Sequence, residues 1–285
     1  MTNKDLVPLH PCFRYKSTVW HALIGALLWF MTTAVQAAPE PWPIWQSYNP
    51  KSTQRIDHSL WQTFLDNYLM RGSDGINRVN YTAARKQQWP QLKRYLENLS
   101  QVKPDMLTQP EQMAFWINLY NALTVDLVLQ HPRKKSIKQM GRGIFSFGPW
   151  DDEVIQINGV AITLNDIEHR ILRPIWRDHR IHYAVNCASL GCPDLADTVY
   201  QANQLESQLR SAESAFLDHP RSARFDQRGQ LIVSSLFKWY ADDFAPNVAA
   251  LKEYLATHHS QSTRLRQYRG RIRYEYDWRL NATPD

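Results

Sequence analysis

Residues 152–176, DEVIQINGVAITLNDIEHRILRPIW, contain the clearest local structural signal in this chain. Two segments with alternating apolar residues flank Asn158-Gly159, a dipeptide that favours the type I′ turn of a two-residue β-hairpin. Thr163 and Asp166 follow at the spacing of a capping box, so a helix is expected to begin directly after the hairpin. A hairpin that leads into a helix predicts a fold in which helices pack beside antiparallel strands.

Helices are predicted on both sides of this hairpin. The longest covers QPEQMAFWINLYNALTVDLVLQHP, residues 109–132, with Pro110 in its first turn and Pro132 at its end. It is apolar nearly all round, so it should be central and buried. We therefore predict an α+β fold, a helix-rich single domain around a small antiparallel sheet. Further helices are predicted over residues 57–70, 81–98 and about 203–217 and from Ser234 or Ser235, and further strands over residues 180–185, 223–234 and 271–278.

The first residues have the organisation of an export signal. Basic residues precede an apolar run over residues 19–31, and the small residues Val35 and Ala37 follow at positions suited to signal-peptidase cleavage. The alternative is a membrane anchor, but a run of about 13 residues is shorter than the ~20 residues that a membrane span needs. We expect cleavage, no stable membrane span after it, and a periplasmic or secreted location.

The expected organisation is a signal peptide over residues 1–38, an extended Pro-rich arm over residues 39–56 and one globular domain over residues 57–285. The composition suits such a domain, because 44% of the 285 residues are hydrophobic. The net charge of +6 is mildly basic, but basic and aromatic residues do not recur together, so no nucleic-acid partner is expected. No cofactor and no metal are expected, and the sequence defines no oligomeric state.

The stretch HYAVNCASLGCPDL, residues 182–195, places Cys187 and Cys192 five positions apart. Cys12 lies in the basic part of the signal, so these two are the cysteines of the exported chain. An oxidising compartment would favour a disulfide between them. A zinc site with His182 is a second interpretation, although its spacing departs from that of close cysteine pairs. The third interpretation, which we favour, is a nucleophilic Cys187 with Cys192 buried or structural beside it.

A strand over residues 180–185 would place Cys187 at its end, where a side chain is exposed at the edge of a sheet. Asn186 would then share a face of the strand with His182, and Cys187 would lie on the other face. The backbone N–H groups of Ala188 and Ser189 would be available to a developing oxyanion.

Two histidines are candidates for the base. Five extended residues span about 16 Å, so His182 could not readily reach Cys187 along a strand. His169, on the helix after the hairpin, is the geometrically easier partner, and His182 remains the second candidate. Glu168 is the residue expected to orient the imidazole.

Two amides interrupt the long apolar helix. Asn118 and Asn121 are three residues apart and so share one face. A buried amide without a partner costs about 1–3 kcal/mol, so each should either bond neighbouring backbone or line a cleft and orient substrate. The sequence leaves both interpretations open. The expected cleft lies between this helix and the strand that ends at Cys187.

Five stretches taken together resemble one family. They are AFWINLYNALTVDLVL, ITLNDIEHRILR, RIHYAVNCASLGCPDL, LFKWYADDF and YEYDWRLN. They are similar to the group catalogued as domain of unknown function 547, over roughly residues 60–281, and members are often exported bacterial proteins. The resemblance implies a cysteine-hydrolase-like arrangement with glutamate, histidine and cysteine in one cleft. The matching residues here are Glu168 and His169, then His182 and Cys187.

The expected function is that of an exported cysteine-dependent hydrolase or acyl transferase, acting on an amide or a thiol-containing peptide. Cys187 would attack the acyl carbon, His169 or His182 would move the proton, and the backbone near Ser189 would stabilise the oxyanion. The alternative is a non-catalytic periplasmic interaction module with a structural Cys187–Cys192 disulfide.

Overall fold

The long helix predicted from residue 109 is confirmed and forms the centre of the fold. In the computed structural model, which describes residues 40–143 and 148–284, this helix runs over Gln109–Gln130. Every residue from Glu111 to Leu129 is buried, as the all-round apolar pattern predicts. The predicted export signal over residues 1–38 lies outside the described residues.

The predicted α+β class is confirmed. No helix within the described residues is both long enough and apolar enough to span a membrane. The helices, in chain order, are α1 (Ser59–Tyr68), α2 (Tyr81–Gln87), α3 (Trp89–Ser100), α4 (Gln109–Gln130), the π-helical α5 (Asp166–Leu172), α6 (Arg173–Trp176), α7 (Ile181–Ala184), α8 (Leu205–Leu217), α9 (Leu236–Trp239), α10 (Ala241–Phe244), α11 (Val248–His258) and α12 (Ser262–Gln267). The strands are β1 (Leu69–Arg71), β2 (Asn77–Val79), β3 (Glu153–Ile157), β4 (Val160–Thr163), β5 (Ala223–Phe225), β6 (Leu231–Ser234) and β7 (Arg273–Glu275).

The Pro-rich segment before α1 is anchored to the domain. It contains one 3-10 turn, Pro43–Trp45, and the Trp45 side chain is buried. The Trp45 ring packs edge-on against Trp116 of α4, with ring centroids 5.3 Å apart. Because buried aromatic rings contribute strongly to core packing, Trp45 holds this segment on the central helix.

The hairpin and the capping box are both confirmed. Strands β3 and β4 pair antiparallel, with φ of +50° at Asn158 and +75° at Gly159, as a type I′ turn requires. The Thr163 N–H donates to Asp166 Oδ2 at 3.0 Å, and the Asp166 N–H donates to Thr163 Oγ1 at 3.0 Å. These reciprocal bonds satisfy two N–H groups where the helix begins.

The helix after the hairpin has the wide turn of a π-helix. Its last bond runs from the Arg173 N–H to the Glu168 carbonyl, five residues back, where an α-helix would bond four residues back. π-turns are rare and occur frequently at functional sites. This one carries Glu168 and His169.

The strand predicted over residues 180–185 is wrong. Residues Ile181–Ala184 form a single helical turn, α7, with all four side chains buried. Asp178 starts this turn, because its side chain accepts the Arg180 N–H at 2.9 Å and its carbonyl accepts the Ile181 N–H at 3.2 Å. A short buried apolar run does not by itself distinguish a strand from a helical turn. His182 therefore lies on a helical turn, where the rise per residue is less than half that of a strand.

In the part of the chain that the structure describes, the strands form three small sheets where one was expected. The predicted hairpin over residues 223–234 is confirmed as β5 and β6, and β1 pairs antiparallel with β2. Strand β7 pairs in parallel with β6, so this sheet is not purely antiparallel. A parallel neighbour needs a long crossover, and helices α9 to α12 supply it.

Candidate functional site

One cavity of about 260 Å³ brings the predicted catalytic residues together. Glu168, His169, His182 and Cys187 all line it. The rest of its wall is mostly apolar, and we call its five large rings the aromatic wall. The aromatic wall consists of Trp150, Trp239, Tyr240, Tyr276 and Trp278.

The Cys187 sulfur is surrounded by hydrogen-bonding groups. Ser189 Oγ and the Tyr276 hydroxyl each lie 3.1 Å from Sγ, and these two oxygens are 3.1 Å from each other. Hydrogen bonding from Cys192 lowers the pKa of the Cys187 thiol. Burial raises this pKa, and the hydrogen bonds with Ser189 and Tyr276 lower it further. The net direction is downward, so the thiolate is favoured relative to an ordinary cysteine.

The two cysteines are free in this structure, so the disulfide of the alternative interpretation is not formed here. The Cys187 N–H donates to Cys192 Sγ at 3.1 Å, so the turn between them folds back tightly. Ala188 adopts a left-handed φ of +56°, and its N–H donates to Asn186 Oδ1 at 2.9 Å. The predicted use of the Ala188 N–H in an oxyanion hole is therefore wrong, because that donor is already bonded.

The zinc interpretation requires a cluster of ligands that the described chain does not assemble. Across residues 40–143 and 148–284, no three side chains of His, Cys, Asp or Glu lie together in a way that could hold a metal ion. His182 instead lies between the carboxylates of Asp243 and Glu168.

The C-terminal segment delivers Tyr276 to the cysteine turn. The Gly191 N–H donates to the Asp277 carbonyl and the Leu190 N–H donates to the Arg279 carbonyl, each at 2.8 Å. A Cβ atom at Gly191 would lie 2.7 Å from the Asp277 nitrogen and 3.0 Å from the Tyr276 ring. Glycine is therefore required here for close approach of the two segments.

His182 is held between two carboxylates. Its Nε2 lies 2.6 Å from Asp243 Oδ2, and its Nδ1 lies 3.4 Å from Glu168 Oε1. The ring also stacks on Tyr240, with centroids 4.1 Å apart. His182 reaches the cavity because α7 is helical, which overturns the expectation that an extended strand would carry it away from Cys187. Both of its nitrogens nevertheless face carboxylates, so it is not placed as a free base for the sulfur.

His169 presents a different nitrogen to the cavity. Arg173 Nη1 donates to His169 Nδ1 at 3.1 Å, and since arginine has only donors, the ring proton must be on Nε2. Burial lowers the pKa of His169. The charge of Glu168 raises this pKa, and the charge of Arg173 lowers it. The imidazole is therefore neutral near pH 7 and acts as an N–H donor, with no partner for Nε2 among the described residues.

Glu168 is a buried carboxylate at the centre of these contacts. The Tyr120 hydroxyl donates to its Oε2 at 3.2 Å. Burial would raise its pKa, but His169, His182 and Arg173 outweigh burial and lower the pKa from 4.5 to about 2. Glu168 lies closer to His182 than to His169, whose Nδ1 is 4.0 Å away. It therefore orients His182 more directly than His169.

The predicted amides hold the backbone and do not line the cavity. Asn121 Nδ2 donates to the Ala184 carbonyl at 2.9 Å, and its Oδ1 accepts the Asn186 N–H at 2.8 Å. Asn118 makes the same two-sided contact with the carbonyl and N–H of Tyr200, at 2.8 and 3.0 Å. The expected cleft beside these amides is therefore wrong.

Asn186 is also a structural residue. Its Nδ2 donates to the Pro193 carbonyl at 2.7 Å, while its Oδ1 accepts the Ala188 N–H. These bonds close the turn that carries both cysteines. Of the four predicted supporting residues, Ser189 is the one whose side chain contacts the sulfur.

Three residues at the site were missed by the sequence reasoning. Arg173 and Asp243 bond each other at 2.7 Å and contact the two histidines, and Tyr276 contacts Cys187. Each lies inside a stretch that carries the family resemblance, namely ITLNDIEHRILR, LFKWYADDF and YEYDWRLN. The polar residues of those stretches were the available signal.

The fold and site define an α+β protein with a cysteine pair and two histidines around an apolar cavity. A family model described as "Protein of unknown function, DUF547" matches residues 104–217, which confirms the family predicted from the motifs. The matched segment includes Glu168, His169, His182 and both cysteines. Comparisons with curated proteins and with solved structures gave no match.

Proposed function

We propose that the cavity is the active site of a cysteine-dependent hydrolase or acyl transferase, acting on an amide or a thiol-containing peptide. The observation that supports this most directly is that Cys187 lines an apolar cavity and its sulfur lies 3.1 Å from the hydroxyl oxygens of Ser189 and Tyr276. A thiolate is the nucleophilic form of cysteine, and hydrogen-bond donors around the sulfur favour it.

In the first step, the Cys187 thiolate attacks the acyl carbon of the substrate. A carbon–sulfur bond forms and the carbonyl electrons move to oxygen; when they return, the bond to the leaving group breaks. Water in the cavity takes the proton of the thiol before the attack. Water then gives a proton to the leaving nitrogen, which departs as an amine. In the second step, water or another nucleophile attacks the thioester, takes the acyl group, and restores the Cys187 thiol.

The hydroxyls that stabilise the thiolate can also stabilise the oxyanion. Once sulfur is bonded to carbon it loses its charge, so Ser189 and Tyr276 are released to donate to the adjacent oxygen. Burial, with the nearby cysteines, raises the pKa of Tyr276 well above its usual value. The phenol therefore stays protonated and remains a donor. His169 Nε2–H is a further donor for substrate polar groups in the cavity.

The aromatic wall supports an apolar substrate group beside the reacting carbonyl. Trp239 is 47% exposed at the wall, and its ring lies 4.8 Å from that of Tyr276, centroid to centroid. Flat apolar rings of this kind bind aromatic or branched aliphatic groups by contact and exclusion of water. We propose a peptide or acyl donor with such a side chain at the scissile position.

The test is covalent trapping of Cys187 with an activated acyl donor. A phenylpropionyl thioester is mixed with the protein, and intact and peptide mass spectra are followed over time. We expect an acyl adduct on Cys187 that forms and then decays as the acyl group is transferred. Cys187→Ser should lose the adduct while its stability to unfolding changes by only about 1 kcal/mol.

The matched control is Cys192→Ser, which removes the neighbouring sulfur and should still form the adduct. If Cys187 reacts with iodoacetamide but no acyl donor gives an adduct, the acyl-transfer proposal is rejected. A purified protein whose Cys187–Cys192 disulfide stays closed in excess reduced glutathione would instead support the non-catalytic interaction module.

We also propose that the chain is exported, on the basis of the residues 1–38 pattern. Replacing Ala37 by a bulky residue such as Phe should block signal-peptidase cleavage. The expected result in a bacterial host is accumulation of the longer precursor, seen by mass spectrometry of the fractionated cell. Recovery of an uncleaved native chain in the cytoplasmic fraction would reject export.

A further inference from the structure

The two cysteines differ in environment although they are in contact. Cys187 and Cys192 both line the cavity, and the tight turn between them brings the Cys187 backbone onto the Cys192 sulfur. Cys192 is 4% exposed, whereas Cys187 is half-buried. The Cys187 N–H donates to Cys192 Sγ, and the Cys192 N–H donates to the Ser189 carbonyl at 3.1 Å. The turn thus holds one sulfur at the cavity surface and the other directly behind it.

The electrostatic surroundings assign different ionisation to the two thiols. The pKa of Cys187 is lowered, as described above. Burial raises the pKa of Cys192 well above its usual value, and the hydrogen bond and charge of Cys187 add to this. In a cysteine pair that exchanges with disulfides, the accessible thiolate attacks first and the buried thiol resolves the mixed disulfide. By both position and ionisation, Cys187 is the attacking cysteine and Cys192 is the resolving cysteine.

We propose that Cys187 and Cys192 form a reversible dithiol–disulfide couple that exchanges with an organic disulfide bound in the cavity. This activity is separate from acyl transfer and does not depend on it. It also differs from a structural disulfide, because both cysteines are free in the structure and both residues line the cavity.

The exchange has two balanced steps. The Cys187 thiolate attacks one sulfur of the substrate disulfide; a new sulfur–sulfur bond forms, and the other half leaves as a thiolate that solvent protonates. Cys192 then gives its proton to solvent and attacks Cys187 Sγ, and the mixed disulfide breaks. The substrate disulfide is reduced to two thiols, and the cysteine pair is oxidised by two electrons. Because this consumes the nucleophile, the oxidised protein cannot carry out acyl transfer.

The turn can accommodate the bond with little rearrangement. The loop between the sulfurs is four residues long, and its ends are held by the bonds from Asn186 to Ala188 and Pro193. Because the Cys187 nitrogen already lies 3.1 Å from Cys192 Sγ, closing the disulfide requires a change in side-chain torsions, whereas a pair with separated backbones would require the chain to move.

The experiment uses the full chain with Cys12→Ser, so that Cys187 and Cys192 are the remaining cysteines. The reduced protein is mixed with oxidised glutathione, and the reaction is stopped with acid and read by intact mass spectrometry. We expect a short-lived glutathionyl adduct followed by a product that has lost two hydrogens, with two glutathiones released. Excess reduced glutathione should return this product to the dithiol without unfolding the protein.

Two variants assign the roles. Cys192→Ala should stop at a stable glutathionyl adduct on Cys187, and Cys187→Ser should react much more slowly because the remaining thiol is buried. Cys192→Ser serves as a second variant if Cys192→Ala does not fold, as judged by thermal unfolding.

A stable glutathionyl adduct on the protein with both cysteines would overturn the proposal, because it would show that Cys192 does not resolve. A disulfide that reduced glutathione cannot open short of unfolding would also overturn it. No acyl donor is present in these assays, so their failure is distinct from failure of the acyl-transfer proposal.

Discussion

Asn121 and Asn118 of α4 form a matched pair for testing how the backbone before Cys187 is held in place. Asn121 and Asn118 each bond one backbone carbonyl and one backbone N–H, and all of these groups are buried. Replacing either amide by alanine leaves two buried backbone groups without partners, at about 1–3 kcal/mol each. We therefore expect Asn121→Ala and Asn118→Ala each to lower the free energy of unfolding by about 4 kcal/mol.

The two variants should differ in the reactivity of Cys187. Asn121 holds Ala184 and Asn186, which precede the cysteine directly, whereas Asn118 holds Tyr200. Loss of the Asn121 contacts frees the sulfur to leave the Ser189 and Tyr276 hydroxyls. A hydrogen bond to a charged group contributes about 1.5–3 kcal/mol, so alkylation at neutral pH should slow about tenfold or more. Asn118→Ala should change that rate less than about twofold, since it leaves the cysteine turn in place.

Urea denaturation measures the stability change, and iodoacetamide labelling followed by mass spectrometry measures the rate. For a loss of about 4 kcal/mol, the urea midpoint should fall by roughly 1–2 M. Equal slowing of labelling in both variants would refute the reasoning, because it would show a general loss of structure. Unfolding free energies within about 1 kcal/mol of the native protein would refute it as well, since the amides would then not hold the backbone.

Two further substitutions test the surroundings of Cys187, and a third tests a buried histidine elsewhere in the fold. Tyr276→Phe removes one donor from the Cys187 sulfur, so the midpoint of its alkylation–pH curve should move to higher pH; an unchanged midpoint would rule out the Tyr276 hydroxyl as a donor. Gly191→Ala should destabilise the fold and slow Cys187 labelling, because the new Cβ pushes against Asp277 and Tyr276; a fully active, equally stable variant would show that the segments can move apart. Burial lowers the pKa of His58 from 6.5 to about 4, so only the unfolded state gains this proton between those pH values. Stability should therefore fall by about 3 kcal/mol as pH drops from 6.5 to 4, and His58→Gln should remove most of that slope, measured by urea denaturation at each pH.

The pH window assigned to His58 is distinct from that of the site carboxylate. The pKa of Glu168 is lowered from 4.5 to about 2, so its contribution is complete above pH 4.5 and is lost as pH falls further. The pKa of His169 is also lowered, and this histidine adds to the slope below pH 6.5. Some slope should therefore remain in His58→Gln.

Local signals predicted the elements that local forces determine. The Asn158-Gly159 turn, the Thr163–Asp166 capping box and the buried helix α4 were all predicted correctly. Each depends on dihedral preference, on bonds between residues three apart, or on apolar periodicity, and all of these act over a few residues. The strand predicted over residues 180–185 was wrong because Ile181–Ala184 are all buried. A fully buried segment does not alternate between apolar and polar residues, so the pattern cannot distinguish a strand from a helical turn.

The family resemblance, the α+β class and the four residues that share the cavity were all predictable from the order of amino acids, because those features lie in contiguous motifs. The surroundings of these four residues depend on the folded chain. Asp243 bonds His182 from 61 residues away, and Tyr276 bonds Cys187 from 89 residues away. Which distant side chain faces a buried group depends on how the whole chain packs, and no local pattern contains that information.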